Sequence, residues 1–285
     1  MRPHPVAAFG QVMAWVEERT WRPSRLAGAV PVAAGLALAG AAGEALGSVA
    51  GATYLAVAGR ELARSAARVA AALDGNDLDK ARALLPALVG RDPTDLDEKE
   101  VARAVVESVA ENTVDAVVAP ALWAALGGGR ATLAYRAVNT LDAMVGHRSE
   151  RYERYGWASA HLDDLAGWVP ARLTAALVAA VRPPTAAEVW RAVRHDAPAH
   201  PSPNAGVAEA AFAAALGLRL GGENRYGERV ELRPPLGSGR PPEPPDISRA
   251  VALSSDVATA LVVLLLAGGA AGGLWTRGRR RRRGR

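Results

Sequence analysis

Arg103-Ala104-Val105-Val106-Glu107-Ser108-Val109-Ala110-Glu111-Asn112-Thr113-Val114-Asp115 is the stretch that decides the fold. Its ionisable residues, Arg103, Glu107, Glu111 and Asp115, recur every four positions among Val and Ala. On an α-helix a four-residue step turns the side chain by only about 40°, so the four form a stripe on one face. Charge is costly to remove from water, and polar residues in apolar segments usually face a cavity. One arginine does not balance three carboxylates, which favours a polar cavity or cation site over a solvated ladder of ion pairs. Polar groups remain sparse and apolar sequence dominant as far as Arg172, through Asn139, Asp142, Arg148, Asp163 and Asp164.

Working outward, the 285-residue chain is half apolar and contains no cysteine, which excludes disulfides and thiolate metal sites. Its histidines show no paired ligand spacing, so a zinc site is not expected. The net charge of +5 is carried by seven arginines between Arg277 and Arg285. These follow the apolar run Val257–Trp275, a pattern that places the C-terminus on the cytoplasmic side of a membrane with Trp275 at the interface. Arg19, Arg22 and Arg25 suggest a cytoplasmic N-terminus by the same rule. Basic and aromatic residues are not interleaved elsewhere, so no nucleic-acid partner is expected.

The expected class is all-α, a polytopic helical membrane protein with a polar helical loop region. It is read as a single integral membrane domain over 1–285. Residues 26–59 form one long apolar helix or a tight hairpin near Gly43–Gly47. The Gly43/Gly47/Gly51 stripe favours continuous helix. Residues 60–103 read as a soluble helical pair around Asp74-Gly75-Asn76, and 104–182 as the motif-bearing helices. Asp95 or Asp97 caps the helix of the stripe, which ends near Gly127-Gly128-Gly129. A second helix spans about 131–145 and a third about 162–181. Asp163-Asp164 can be read as the N-terminal cap of that third helix, and Arg172 needs a partner such as Asp164. A polar loop region with a Ser-Pro-Asn motif (183–249), a transmembrane helix (250–276) and the arginine tail (277–285) complete the chain. No strand alternation and no repeat is visible.

The string Glu107-Ser108-Val109-Ala110-Glu111-Asn112-Thr113-Val114-Asp115 followed by Pro120, then Asn139-Thr140-Leu141-Asp142-Ala143-Met144-Val145-Gly146, Ser202-Pro203-Asn204-Ala205-Gly206 and Leu220-Gly221-Gly222, occur in that order. Together they resemble the adenosylcobinamide-phosphate synthase (CobD/CbiB) family of cobalamin biosynthesis, from about His4 to Gly239. The resemblance implies a cell-membrane protein joining adenosylcobyric acid to aminopropanol phosphate through an amide bond, with ATP and magnesium consumed or bound. Its partners would be the corrinoid, the amine, the lipid bilayer and other cobalamin-biosynthesis enzymes. It also implies a further apolar segment before His4-Pro5-Val6, the point near which this sequence starts.

Such chemistry needs a carboxylate activated as an acyl phosphate, oxygen ligands for magnesium, and a base for the attacking amine. Glu107, Glu111, Asp115 and Asp142 are the candidate catalytic residues, with Glu111 and Asp115 as magnesium ligands. Asn112, Asn139, Arg148, Asp163, Asp164, Arg172, Ser202 and Asn204 are the candidates for substrate binding. No Gly-x-x-x-x-Gly-Lys-Ser/Thr loop is present, so the nucleotide needs another cradle; Gly127-Gly128-Gly129 is one. The alternative function is a membrane scaffold or transporter for corrinoids that catalyses nothing.

Overall fold

A computed structural model describes residues 5–147, 149–226 and 229–283. Arg148, the side chains from residue 270 onward (Trp275 and the arginine run among them) and residues 284–285 lie outside that description. The chain begins with α1 (Pro5–Thr20), α2 (Arg25–Leu46), α3 (Val49–Ala56), α4 (Gly59–Asp74) and α5 (Leu78–Leu84). Then come α6 (Glu98–Thr113), a π-helical turn (Val114–Val118), α7 (Ala119–Val145) and α8 (Trp157–Val181). The last part holds α9 (Ala186–His195), α10 (Ala205–Leu216), an antiparallel hairpin of β1 (Leu220–Tyr226) and β2 (Arg229–Leu236), and α11 (Pro244–Arg283). The expected all-α class holds apart from that hairpin. Segments 25–46, 98–145, 157–181 and 244–269 are long and apolar enough to cross a membrane. Leu26, Leu165 and Leu266 are 84%, 73% and 69% exposed along these helices, as a lipid-facing surface requires.

Local chemistry explains most element ends. Asp97 closes a capping box with Glu100 at the start of α6, satisfying two otherwise orphaned amides. Asp77 caps α5 after a turn in which Asn76 adopts φ 55°. The Gly43/Gly47/Gly51 stripe does not make one helix. Gly47 stops α2 in the left-handed conformation and Ser48 starts α3, so the tight-hairpin reading of 26–59 holds. Gly43 serves close packing instead, since a Cβ there would stand 2.7 Å from the Arg130 Cα on α7.

The segment 98–145 is itself a helical hairpin. Gly128 has φ 67° and ψ −161°, a conformation open essentially to glycine alone. Asn139 donates to Asp115 at 3.1 Å, although 24 residues of straight helix would separate them by about 36 Å. The chain therefore descends through α6 and the π turn, reverses at Gly128 and returns along α7. The sequence expectation of a helix ending near Gly127–Gly129 and another over 131–145 matches this.

Helix directions follow from the contacts. Gly35 approaches Leu141 and Gly43 approaches Arg130, so α2 runs antiparallel to the returning limb of α7. Lys99 pairs with Glu243 at 3.9 Å and Thr113 bonds Ser254 at 2.7 Å, so α11 runs parallel to α6. Hence α2 and α11 point the same way. If both cross a membrane, the N-terminal end of α2 and the C-terminal end of α11 emerge on opposite faces. The two cytoplasmic assignments drawn from the arginines cannot hold together.

Two further expectations are corrected. Residues 220–236, read as irregular because of their Gly and Pro, pair as a hairpin in which Gly221 and Gly222 take φ 86° and 105° at a bulge. Asp163 and Asp164 are not a cap, because α8 already starts at Trp157 and carries them in its second turn.

Candidate functional site

The stripe on α6 divides into an upper and a lower half. In the upper half Glu107 accepts from Arg91 Nη2 at 2.5 Å and from the Gly221 amide at 2.9 Å, with Arg103 Nη1 3.5 Å away. Arg103 also donates to the carbonyls of Gly221 and Glu223, each at 2.7 Å. Both arginines converge on the Asn224 Oδ1. Arg91, Arg103, Glu107 and Asn224 are all buried, so this network ties the β-hairpin to α6. Buried ion pairs survive only when such additional bonds satisfy the remaining donors and lone pairs.

The lower half lines a pocket that opens to solvent between α6, α7 and α8. Glu111 is solvent-exposed there, while Asp115 lies one turn below in the π segment, a geometry common at functional sites. Asn139 Nδ2 bridges Asp115 Oδ2 at 3.1 Å and Asp163 Oδ1 at 3.3 Å, and Tyr135 reaches Asp115 at 3.5 Å. Asp142, one turn along α7, lies within electrostatic reach of Asp164, Asp115 and Glu111. Three helices thus bring Glu111, Asp115, Asn139, Asp142, Asp163 and Asp164 to one place.

The Ser202–Gly206 loop forms a further wall. Asn204 Nδ2 donates to the Asp164 carbonyl at 2.8 Å and its Oδ1 accepts from Arg172 at 2.9 Å. Arg172 therefore reaches Asp164 through Asn204, while its guanidinium also lies over the Trp168 ring. The Ser202 hydroxyl accepts from the amides of Asn204 and Ala205 and so starts α10. Asn112 turns back onto its own helix, donating to the Ser108 carbonyl at 2.9 Å. Gly127–Gly129 does not face the pocket. Gly129 packs beside Ala52 and the Gly43 carbonyl, so the run serves the helical turn and not a phosphate cradle.

The pocket also holds residues outside the sequence-based set. Glu209 of α10 is buried within reach of Glu107, Glu111, Arg233 and Arg91, with His200 Nε2 3.7 Å away. Arg233 of β2 meets His200 Nε2 at 2.6 Å and pairs with Glu231 at 3.3 Å. Because Arg233 can only donate, His200 Nε2 accepts, and the ring proton sits on Nδ1 toward the Ser202 carbonyl at 3.1 Å. Burial lowers the His200 pKa, with Arg233 acting the same way and the backbone bond to Ser202 opposing. Glu209 could have been found by the signal that exposed the stripe, a lone acid in the apolar run Ala205–Leu216. Arg91, Asn224 and Arg233 lie in segments read as loops and carried no such signal.

Burial first, then the charges of Glu107 and Glu111, raise the Glu209 pKa well above its ordinary value, against Arg233 and Arg91. A carboxyl whose folded pKa exceeds its unfolded one adds stability below the unfolded pKa and loses it as pH rises through the folded value. Glu209→Gln is therefore expected to raise the melting temperature of the detergent-solubilised protein by about 2 °C at pH 8 and by less at pH 5. Equal shifts at both pH values would contradict this.

The donors in the pocket are carboxylates and amides, hard oxygens of the kind that suit magnesium. Among the described residues no three acidic or imidazole groups stand close enough together to hold a metal ion. Asp115 and Asp163 are a pair of such carboxylates, bridged by Asn139.

These features define a polytopic helical protein with an open acidic cleft lined by α6, α7, α8 and the Ser202–Gly206 loop, beside which a β-hairpin is anchored. The chain belongs to the family described as CobD/Cbib protein, which matches residues 1–254. It is 49% identical over 275 residues to the cobalamin biosynthesis protein CobD of Mycobacterium tuberculosis (strain CDC 1551 / Oshkosh), covering 92% of this chain and 88% of that one. It is 42% identical over 254 residues to the protein of that name from Pelobacter propionicus (82% and 79% covered). For the one from Chromobacterium violaceum the figures are 43% over 270 residues (88% and 86%). No solved structure matches.

Proposed function

We propose that this protein serves cobalamin biosynthesis as the ATP-dependent ligase that joins adenosylcobyric acid to aminopropanol phosphate, giving adenosylcobinamide phosphate. The observation that carries this reading is the convergence of the family motifs on one pocket: Glu111 and Asp115, Asn139 and Asp142, Asp163 and Asp164, and Asn204 meet from four segments. In the ligation, a corrinoid carboxylate oxygen attacks the terminal phosphorus of ATP and ADP leaves. The amine nitrogen then attacks the acyl carbon, a C–N bond forms, phosphate departs and the nitrogen gives up a proton. Glu111, solvent-exposed and outside the hairpin network, would take that proton. Asp142 is the second candidate base. Asp115 and Asp163 would supply two carboxylates to magnesium, the rest of its shell falling to phosphate oxygens and water, and the ion would offset charge on the transferring phosphate. Asn139 sets the spacing of the two aspartates, and Asn204 with Arg172 fixes the wall against which a corrinoid amide would lie.

ATP is a cytoplasmic substrate. The ligase reading thus requires the end of the bundle where α2 and α11 begin, toward which the Glu107–Glu111 half of the stripe extends, to face the cytoplasm. The C-terminal end of α11 then lies across the cell membrane.

Replacing Glu111 by Gln keeps size and hydrogen bonding but removes the base. Cobinamide production in a strain lacking its own synthase is expected to fall by roughly 10²–10⁴-fold at normal protein levels. Undiminished rescue would remove Glu111 from catalysis. Purified protein that binds adenosylcobyric acid yet never couples ATP hydrolysis to its consumption would favour the scaffold or transporter.

A further inference from the structure

Arg136 sits in the returning limb of α7, one turn before Asn139. Its Nη1 donates to Asn139 Oδ1 at 3.1 Å, and its Nε is buried with no partner. Among the described residues no carboxylate oxygen lies within ion-pair distance of its guanidinium, although Asp115 acts on it electrostatically and Asp163 shares Asn139. Among the described residues the other cations of the pocket are engaged: Arg91 and Arg103 by Glu107 and Asn224, Arg233 by His200 and Glu231, Arg172 by Asn204. A guanidinium carries five donors, and leaving the buried Nε–H without an acceptor is costly. A bound anion would remove that cost. The planar fork of arginine matches two oxygens of a phosphate, and the bond to Asn139 fixes its plane toward the acidic wall.

We propose that Arg136 is the residue of this pocket that grips a phosphate group of a substrate. The ligase reading supplies only the two sources of that phosphate, the nucleotide and the phosphorylated amine. Asn139 then has two tasks: its amide nitrogen holds Asp115 and Asp163 together, and its oxygen orients the guanidinium. A phosphate seated on Arg136 lies beside the acidic wall, where the acyl carbon must also arrive.

The test uses the full chain in detergent, with binding of ATP, aminopropanol phosphate and phosphate-free aminopropanol measured by calorimetry. Wild-type protein is expected to bind at least one phosphate compound. Arg136→Met should weaken that binding by roughly 10–100-fold, with Arg136→Lys intermediate because it keeps charge but loses the fork. Binding confined to ATP assigns the nucleotide phosphates; binding confined to aminopropanol phosphate assigns the amine. Without ligand, Arg136→Met should melt no lower than wild type, since a half-buried cation with no carboxylate in ion-pair distance has been replaced by an apolar side chain. The proposal is overturned if wild type binds neither phosphate compound, if Arg136→Met binds them as well as wild type, or if Arg136→Met melts several degrees lower than wild type without ligand. Arg136-dependent phosphate binding without any corrinoid product would leave the proposal standing and remove the ligase reading instead.

Discussion

Glu107→Ala is expected to destabilise the protein by about 3–5 kcal/mol, the cost of breaking a buried ion network from one side. The substitution leaves Arg91, the Gly221 amide and part of Arg103 buried without their acceptor. Desolvation, not the lost attraction, sets the size of the effect, because two guanidiniums remain in a site built around a negative charge. The hairpin should then detach from α6. A thermal melt in detergent would show the loss, and limited proteolysis should cut within 220–236. Glu107→Gln keeps an acceptor for Gly221 and is expected to fall between wild type and Ala. Activity should drop in both, since Arg233 rides on β2 and meets His200 only while the hairpin is seated. A Glu107→Ala protein that melts like wild type but is inactive would move Glu107 from anchoring to chemistry.

Gly128→Ala is expected to cost on the order of 1–3 kcal/mol and most of the activity, although residue 128 touches no pocket group. Its φ of 67° with ψ of −161° lies where a Cβ clashes with the backbone. The chain can relieve that strain only by opening the turn, which parts Asp115 from Asn139. Loss of corrinoid product with normal membrane insertion, together with a lower melting temperature, is the expected combination. Full activity in Gly128→Ala would show that the two limbs are held together without the turn.

The sequence displayed the helices and the acidic wall because both depend on periodicity and on charge in apolar surroundings. The four-residue stripe located Glu111 and Asp115, and the glycine run located the reversal before Asn139. The division of labour inside the stripe was hidden. Glu107 and Glu111 are equivalent by spacing, and only the partners brought by Arg91, Gly221 and Asn224 from distant segments make one an anchor and the other a pocket group. The hairpin was hidden for a different reason. Its Gly and Pro suppress the alternation that marks a strand, and it is tied down partly by Arg103 of α6 and Arg91 of the preceding loop, partners that lie far away in sequence. The Asp163-Asp164 cap was misplaced because Gly156–Leu162 lacks a strong start signal, so α8 begins a full turn and a half earlier than its polar residues suggest.

Asp115 and Asn139 lie 13 and 11 residues from Gly128, on the two arms of one hinge. At the helical rise their lever arms are about 17–20 Å long, so opening the hinge by about 5° separates them by about 1.5 Å. That displacement is half the length of the bond joining them. A tilt of that size would thus set the aperture of the acidic wall from a point that none of the residues lining it occupies.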